Sequence, residues 1–380
     1  CCRLVFRCFF WYGECWRGCG AVLSSIDTVV APTTGAYTVG AGSIARAGSN
    51  QEVRYDATME NVDFYSRGGG TTTFLTPPFT SPGAGHHYRL FDSGEGGSSN
   101  LVIDDRPVLV QLVGVDLYAD QLVRRFESNG QPYEFTVEYD GYESMVLFGS
   151  NVTHEYNIYG TSPDIGAGQS TTFFGGSGAD TINIFPRVAT GAFSLNSGLT
   201  IFGGGGSDTV ELNDSASAVG AAWSISNPSS SALQSFQIAS SYPISTSSDV
   251  ETVRLRGSQG HDDVAIESYR NGSALYIYGN GGNDEVFLTP TSRNLANDIT
   301  SISYFHFDGG PGFDDFEIRN DNAAAAPWTY VRTAGYVQSL RSGYTAQWNL
   351  ADVRTTRIYG VPGDETFLIR SMADGTSAQF

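Results

Sequence analysis

Apolar and polar residues alternate along the chain on both sides of a short glycine-rich segment that recurs seven times. The copies align on their first glycine, here called the anchor glycine: Gly149, Gly175, Gly203, Gly257, Gly279, Gly309 and Gly360. The residues two positions before the anchor, and seven and nine positions after it, are aliphatic or aromatic in every copy. Alternation with a period of two is typical of a strand that buries one face. Each copy therefore predicts a strand, a glycine bend and a second strand.

The spacing of the anchors indicates two nested periods. Anchors recur every 22 to 30 residues apart from two longer steps, and Gly149, Gly257 and Gly360 lie 108 and 103 residues apart. The segments AAWSIS and APWTYV occupy corresponding places in the longer steps, so each module of about 106 residues has a less regular part. We predict a Cys-rich appendage at 1–20, a degenerate first module at 21–105, a second at 106–214, a third at 215–321 and the start of a truncated fourth at 322–380.

Units of this size predict a solenoid. A strand, bend and strand of about 25 residues cannot bury its apolar row alone, whereas stacked units form continuous apolar columns. We therefore expect an all-β, right-handed parallel β-helix or β-roll-like solenoid built from coils of 22–30 residues. An antiparallel sandwich is the alternative, but it does not explain fixed columns in seven separate copies. The aromatic residues just before the anchors either stack as a ladder or lie under neighbouring loops: Phe148, Phe174, Phe202, Tyr278 and Tyr359.

The bends have a composition of their own. A second glycine column lies three positions after the anchor, as at Gly178 and Gly206, and an aspartate column lies five positions after it. This aspartate column contains Asp180, Asp208, Asp262, Asp284 and Asp314. Frequent glycine suits a backbone that takes positive φ angles.

Three bends match a known repeat. The segments GGSGADTIN (175–183), GGGGSDTVE (203–211) and GGPGFDDFE (309–317) fit G-G-x-G-x-D-x-U-x, and they resemble the haemolysin-type calcium-binding repeats of secreted RTX proteins. That resemblance implies a calcium-filled parallel β-roll in which aspartates and loop carbonyl groups of successive turns hold Ca²⁺. Carried over by position, Asp180 would face Asp208, and Asp262, Asp284 and Asp314 would form a second column of metal ligands. The alternative from the residues themselves is that these aspartates cap loop N–H groups.

The repeats here are longer than those of that family. One nonapeptide occurs per coil of about 25 residues, and the segment DVETVRLRG (249–257) is similar to segments of very large surface proteins. The resemblance therefore implies an extracellular or cell-surface location.

Charge and composition exclude some partners. The net charge is -19, and all 21 basic residues are arginine. Nucleic acid is not an expected partner, because proteins that track phosphates concentrate positive charge on one face. No apolar run approaches the roughly 20 residues that span a bilayer. All five cysteines lie between Cys1 and Cys19 and favour a separate terminal segment over a zinc site, since no histidine is near them.

We expect an extracellular structural or adhesin-like rod, with calcium, cell-surface glycans or copies of itself as partners. A carbohydrate-active β-helix enzyme is the alternative, and its densest candidate cluster is Arg254, Arg256, His261, Asp262 and Asp263. Because the repeat stays regular instead of breaking at one groove, the sequence favours a protein that is not an enzyme. A subunit that stacks end to end into a filament is a third possibility. A metal site at His86 and His87 is less favoured.

Overall fold

The structure is a two-sheet β-solenoid. This computed structural model describes residues 27–30, 35–40, 43–48, 52–54, 61–66, 69–75, 87–94, 98–106, 113–128, 131–165, 169–227, 233–239, 241–269, 272–300, 302–323, 327–361, 363, 365–373 and 375–380. The predicted Cys-rich appendage and His86 lie outside these residues. The described strands form two sheets, each with 16 strands, here called sheet A and sheet B.

The strands are short and follow one another closely. The first eight are β1 (Asp27–Val30), β2 (Tyr37–Gly40), β3 (Ser43–Arg46), β4 (Glu52–Arg54), β5 (Asn61–Ser66), β6 (Thr71–Leu75), β7 (His87–Asp92) and β8 (Asn100–Asp104). The next nine are β9 (Gly114–Leu117), β10 (Gln121–Ser128), β11 (Gln131–Asp140), β12 (Ser144–Phe148), β13 (Glu155–Ile158), β14 (Ser170–Phe174), β15 (Thr181–Ile184), β16 (Gly198–Phe202) and β17 (Thr209–Asn213).

The second half continues in the same way and adds one short helix, α1 (Leu295–Asp298). Its strands are β18 (Ala222–Ser226), β19 (Gln234–Ile238), β20 (Ile244–Thr246), β21 (Thr252–Arg256), β22 (Asp263–Ile266), β23 (Ala274–Tyr278), β24 (Glu285–Leu288), β25 (Tyr304–Asp308), β26 (Asp315–Arg319), β27 (Thr329–Arg332), β28 (Tyr336–Arg341), β29 (Tyr344–Ala351), β30 (Thr355–Tyr359), β31 (Thr366–Ile369) and β32 (Ser377–Gln379).

Most of the chain winds between the two sheets, so successive strands alternate between sheet A and sheet B. Equivalent residues of successive coils pair in parallel register, as Tyr156, Ile182 and Val210 do in sheet A. These inward columns are almost fully buried and form one continuous apolar core. The columns read from the sequence are therefore the core of the solenoid, except in the last copy, where Ile369 is exposed.

Antiparallel meanders of three strands interrupt the winding and were not predicted. In the described part of the chain they are β2–β4, β9–β11, β18–β20 and β27–β29. The last three begin at Gly114, Ala222 and Thr329, which are 108 and 107 residues apart. The less regular part of each module, marked by Trp223 and Trp328, is thus the start of a meander.

The meanders lie alternately in sheet B and sheet A. Six single strands separate β11 from β18, and six separate β20 from β27, so seven crossings carry each new meander to the other sheet. Each meander adds two extra strands to one sheet, which is about 10 Å of additional length at the usual strand spacing. Because the meanders alternate between the sheets, the extra strands are shared equally and both sheets have the same number of strands.

The outward aromatic residues behave in two ways. Phe148, Phe174 and Phe202 stack face to face, with ring centroids 5.0 and 4.8 Å apart. Tyr278 and Tyr359 instead lie under the guanidinium groups of Arg256 and Arg319. The predicted aromatic ladder therefore forms only in the second module.

Candidate functional site

The glycine bends lie at opposite edges of the solenoid in successive modules. We call the edge where the chain passes from sheet B to sheet A the BA edge, and the other the AB edge. Gly149, Gly175 and Gly203 follow strands of sheet B and lie at the BA edge, whereas Gly257 and Gly279 follow strands of sheet A and lie at the AB edge. The aspartates after these glycines consequently form two separate columns.

The first column, the BA ladder, is a chain of hydrogen bonds between coils. The backbone N–H of His154 donates to Oδ1 of Asp180 at 2.8 Å, and the N–H of Asp180 donates to Oδ1 of Asp208 at 2.8 Å. The N–H of Asp208 donates to Oε2 of Glu251 at 2.7 Å. The sequence comparison placed Asp180 beside Asp208 correctly, but it missed Glu251, because that residue lies in a bend without an anchor glycine.

The AB ladder repeats this arrangement on the other edge. The N–H of Ala221 donates to Oδ1 of Asp262 at 2.6 Å, and the N–H of Asp262 donates to Oδ1 of Asp284 at 2.8 Å. The N–H of Asp284 donates to Oδ1 of Asp314 at 2.7 Å. Each aspartate thus satisfies a buried N–H of the coil before it, at a bend where strand pairing is broken.

The second carboxylate oxygen and a backbone carbonyl oxygen of the next coil together leave no room for a side chain at most of the anchor glycines. A methyl group on Gly203 would lie 2.6 Å from Oδ2 of Asp208, and one on Gly257 would lie 2.5 Å from Oδ2 of Asp262. The anchors at Gly175, Gly279 and Gly309 face their own aspartates in the same way. The anchors adopt no positive φ. Glycine is therefore needed there for space, whereas positive φ occurs one position later, at Gly176 and Gly204.

Most of these Oδ2 atoms have no hydrogen-bond donor. Oδ2 of Asp180, Asp208, Asp284 and Asp314 is buried and accepts no hydrogen bond from the described residues. Asp262 differs, because its Oδ2 accepts the N–H of Ser258 at 2.6 Å. The Ser258 hydroxyl group also lies within hydrogen-bonding distance of this carboxylate, 3.1 Å from Oδ2, so a serine in place of the second glycine adds a donor within the same bend.

Burial makes these carboxyl groups weaker acids than exposed aspartates. Loss of hydration raises the pKa of Asp180 to about 7, partly offset by the His154 N–H, and burial raises the pKa of Asp284 to about 7, partly offset by the Asp262 N–H. Burial likewise raises the pKa of Asp208, Asp262 and Asp314. Desolvation disfavours the charged form, and the hydrogen bonds to these carboxylates do not fully compensate.

The ladders do not gather the side chains of a metal cage. Calcium takes six to eight oxygen ligands, and the described residues contain no group of three acidic, histidine or cysteine side chains placed to hold an ion. One oxygen of each ladder aspartate already accepts a backbone N–H. The chemistry that the arrangement shows is capping of backbone N–H groups between coils, and calcium binding stays a prediction.

The candidate catalytic cluster is divided between surfaces. Arg254 and Arg256 lie on β21 in sheet A, whereas Asp263 begins β22 in sheet B. Nε of Arg256 lies 2.8 Å from Oε1 of Glu211. In the bend, Nε2 of His261 lies 3.3 Å from Oδ1 of Asp263. Asp262 is buried in the AB ladder. The structure therefore does not bring the five residues together. Nε2 of His87 instead lies 2.9 Å from Oε1 of Glu138.

Comparisons with known proteins do not place the chain in a family. No protein-family model matches it, and neither does any curated protein sequence. The described part of the chain contains no helix that is both long and apolar enough to cross a membrane.

Proposed function

We propose that this protein is an extracellular structural segment, a right-handed β-solenoid rod that projects or spaces parts of a cell-surface protein. The two ladders support this proposal most directly. Their buried carboxylates hydrogen-bond to the neighbouring coil of the same chain. Groups used in this way stiffen a rod and are not presented to a substrate.

The shape of the core supports the same role. Each sheet continues through 16 strands, which corresponds to a rod about 75 Å long at the usual strand spacing. The alternating meanders keep the two sheets equal in strand number, so both sheets have the same length along the rod. Solenoids of this kind gain stability from each neighbouring pair of coils.

Calcium is a separate proposal that rests on the repeat resemblance. The residues that would contribute to a calcium site are Asp180 and Asp208 at the BA edge, and Asp262, Asp284 and Asp314 at the AB edge. The free Oδ2 atoms of four of them support it. A melting temperature that rises with millimolar calcium and falls with EDTA would support this proposal, and an unchanged value would reject it. The structural role does not depend on that outcome.

Two experiments test the proposed function. Antibodies against the purified chain should label intact cells of its source organism, and electron microscopy should show rods of about the length above. Labelling only after permeabilisation, or compact round particles, would contradict the proposal. Incubation with a panel of acidic and neutral polysaccharides tests the enzyme alternative, because product formation by the purified protein would favour it over a structural role.

A further inference from the structure

A cleft lies on the AB edge, where the second module meets the start of the third. It has a volume of about 380 Å³ and is lined by Pro163, Phe193, Leu195, Asn196, Ser241 and Tyr242. These residues come from three successive levels, namely the connections leading into β14 and β16 and the turn leading into β20. Two such steps span about 10 Å. The cleft thus has room for a short oligomer, not only for a single ion.

Two aromatic rings in this cleft lack the partners that other exposed rings have. Eight tyrosine and phenylalanine side chains are strongly exposed among the described residues. Six of them contact another ring or lie against an arginine: Tyr65, Tyr159, Tyr304, Phe313, Tyr359 and Phe380. The other two are Phe193 and Tyr242, and both line the cleft. Exposed apolar groups that share a cleft indicate a binding surface.

The backbone around the rings is held in place. Asn196 donates its backbone N–H to Oγ1 of Thr161 and its Nδ2 to the carbonyl oxygen of Thr161, both at 2.9 Å. Ser241 donates its backbone N–H to the carbonyl oxygen of Ile238 at 2.8 Å, while its Oγ accepts the Ile238 N–H and donates to the carbonyl oxygen of Tyr242. The cleft therefore combines two aromatic rings with an amide and a hydroxyl group in fixed positions.

The lining also defines the charge of the ligand. Among the described residues, no lysine, arginine, aspartate or glutamate lines the cleft, and the chain as a whole carries a net charge of -19. An anionic ligand would be repelled, and a cationic ligand would find no carboxylate. A neutral saccharide fits, because its C–H face packs on aromatic rings while its hydroxyl groups bond to amides and hydroxyls.

We propose that this cleft binds a neutral oligosaccharide, with Phe193 and Tyr242 as stacking platforms and Asn196 and Ser241 as hydrogen-bonding groups. The proposal rests on the proposed function only for its location outside the cell, where such glycans are found. It gives the rod an adhesive contact at one defined place, on the edge opposite the BA ladder.

The test uses the full chain on an array of neutral and sialylated oligosaccharides, followed by calorimetry with each neutral oligosaccharide that binds. Phe193→Ala and Tyr242→Ala should each weaken binding at least tenfold. Tyr304→Ala should not change it, because that exposed ring lies outside the cleft, against the ring of Tyr276. Circular dichroism of each variant controls for folding.

Three results would overturn the proposal: no neutral oligosaccharide binds, only sialylated ones bind, or binding survives both substitutions unchanged. A failure here is distinguishable from failure of the structural role. Labelling of intact cells and rod length in the microscope do not depend on the cleft, so they would still hold if only the saccharide proposal were wrong.

Discussion

The backbone N–H of Asp180 donates to Oδ1 of Asp208, 2.8 Å away in the next coil. At the other edge of the solenoid, the N–H of Asp262 makes the same bond to Oδ1 of Asp284. A residue type that the repeat pattern associates with calcium thus caps a neighbouring coil directly. The stability of the bends should accordingly depend on the carboxylate as an acceptor more than on its charge.

Substitutions of Asp284 distinguish its role as a hydrogen-bond acceptor from the effect of its negative charge on stability. Asp284→Asn keeps an oxygen for the Asp262 N–H and removes a buried charge, so at pH 8 its unfolding free energy should equal or exceed that of the original protein. Asp284→Ala leaves that N–H without an acceptor and should cost about 1–3 kcal/mol. Urea unfolding measures both, and Asp120→Asn serves as an exposed control. Equal losses in the two Asp284 variants would contradict the capping role.

The raised pKa values of the ladder aspartates predict that stability increases on mild acidification. Between pH 4 and 7 the folded chain holds protons on Asp180 and Asp284 that the unfolded chain has released. Stability therefore falls as the pH rises through this window, by up to about 1.4 kcal/mol per pH unit for each group. Urea midpoints at pH 5, 6, 7 and 8 measure the effect. A midpoint that increases with pH would show that these groups are ionised in the folded state.

The anchor glycines should tolerate no side chain. A methyl group at Gly203 would meet Oδ2 of Asp208 and the carbonyl oxygen of Asp249, at 2.6 and 2.5 Å. Gly203→Ala should therefore cost about 2 kcal/mol or more, as overpacking against backbone does. Gly335→Ala is the matched control, because nothing lies within 4 Å of the position its methyl group would take. Thermal unfolding should separate the two variants, and similar melting temperatures would contradict the account.

A buried ion pair joins the second meander to the end of the preceding module. Nε of Arg124 donates to Oδ2 of Asp105 at 2.9 Å, and both side chains are almost fully buried. Arg124→Met should destabilise the protein by about 3–5 kcal/mol, because it removes the guanidinium partner of a buried carboxylate. Asp105→Asn combined with Arg124→Met should recover part of that loss. If the double variant were less stable than the single one, the lost charge pairing would not be the cause.

Much of the fold could be predicted because stacked coils repeat their chemistry in columns. The column containing Val264, Val286 and Phe316 pairs in register as the sequence alignment requires. The meanders could not be predicted in this way. Their second and third strands, such as β19 and β20, have no anchor glycine and pair with their own neighbours in the chain.

The site was predictable in part for the same reason. The aspartates share a column, so their contact between coils followed from the alignment. Glu251 and Asp249 cap the end of the BA ladder from a bend of different composition, where Asp249 accepts the N–H of Gly204 at 3.0 Å. The cleft was also missed, because Phe193 and Tyr242 come from irregular connections that no repeat relates.

Hydrogen exchange at the bends tests the central claim most directly. Backbone N–H groups of Asp180, Asp262 and Asp284 should exchange as slowly in EDTA as those of the adjoining strands, because each donates to a buried carboxylate of the next coil. Slow exchange without calcium would agree with ladders that stabilise the rod by direct hydrogen bonds. Fast exchange in EDTA that becomes slow only when calcium is added would contradict that account.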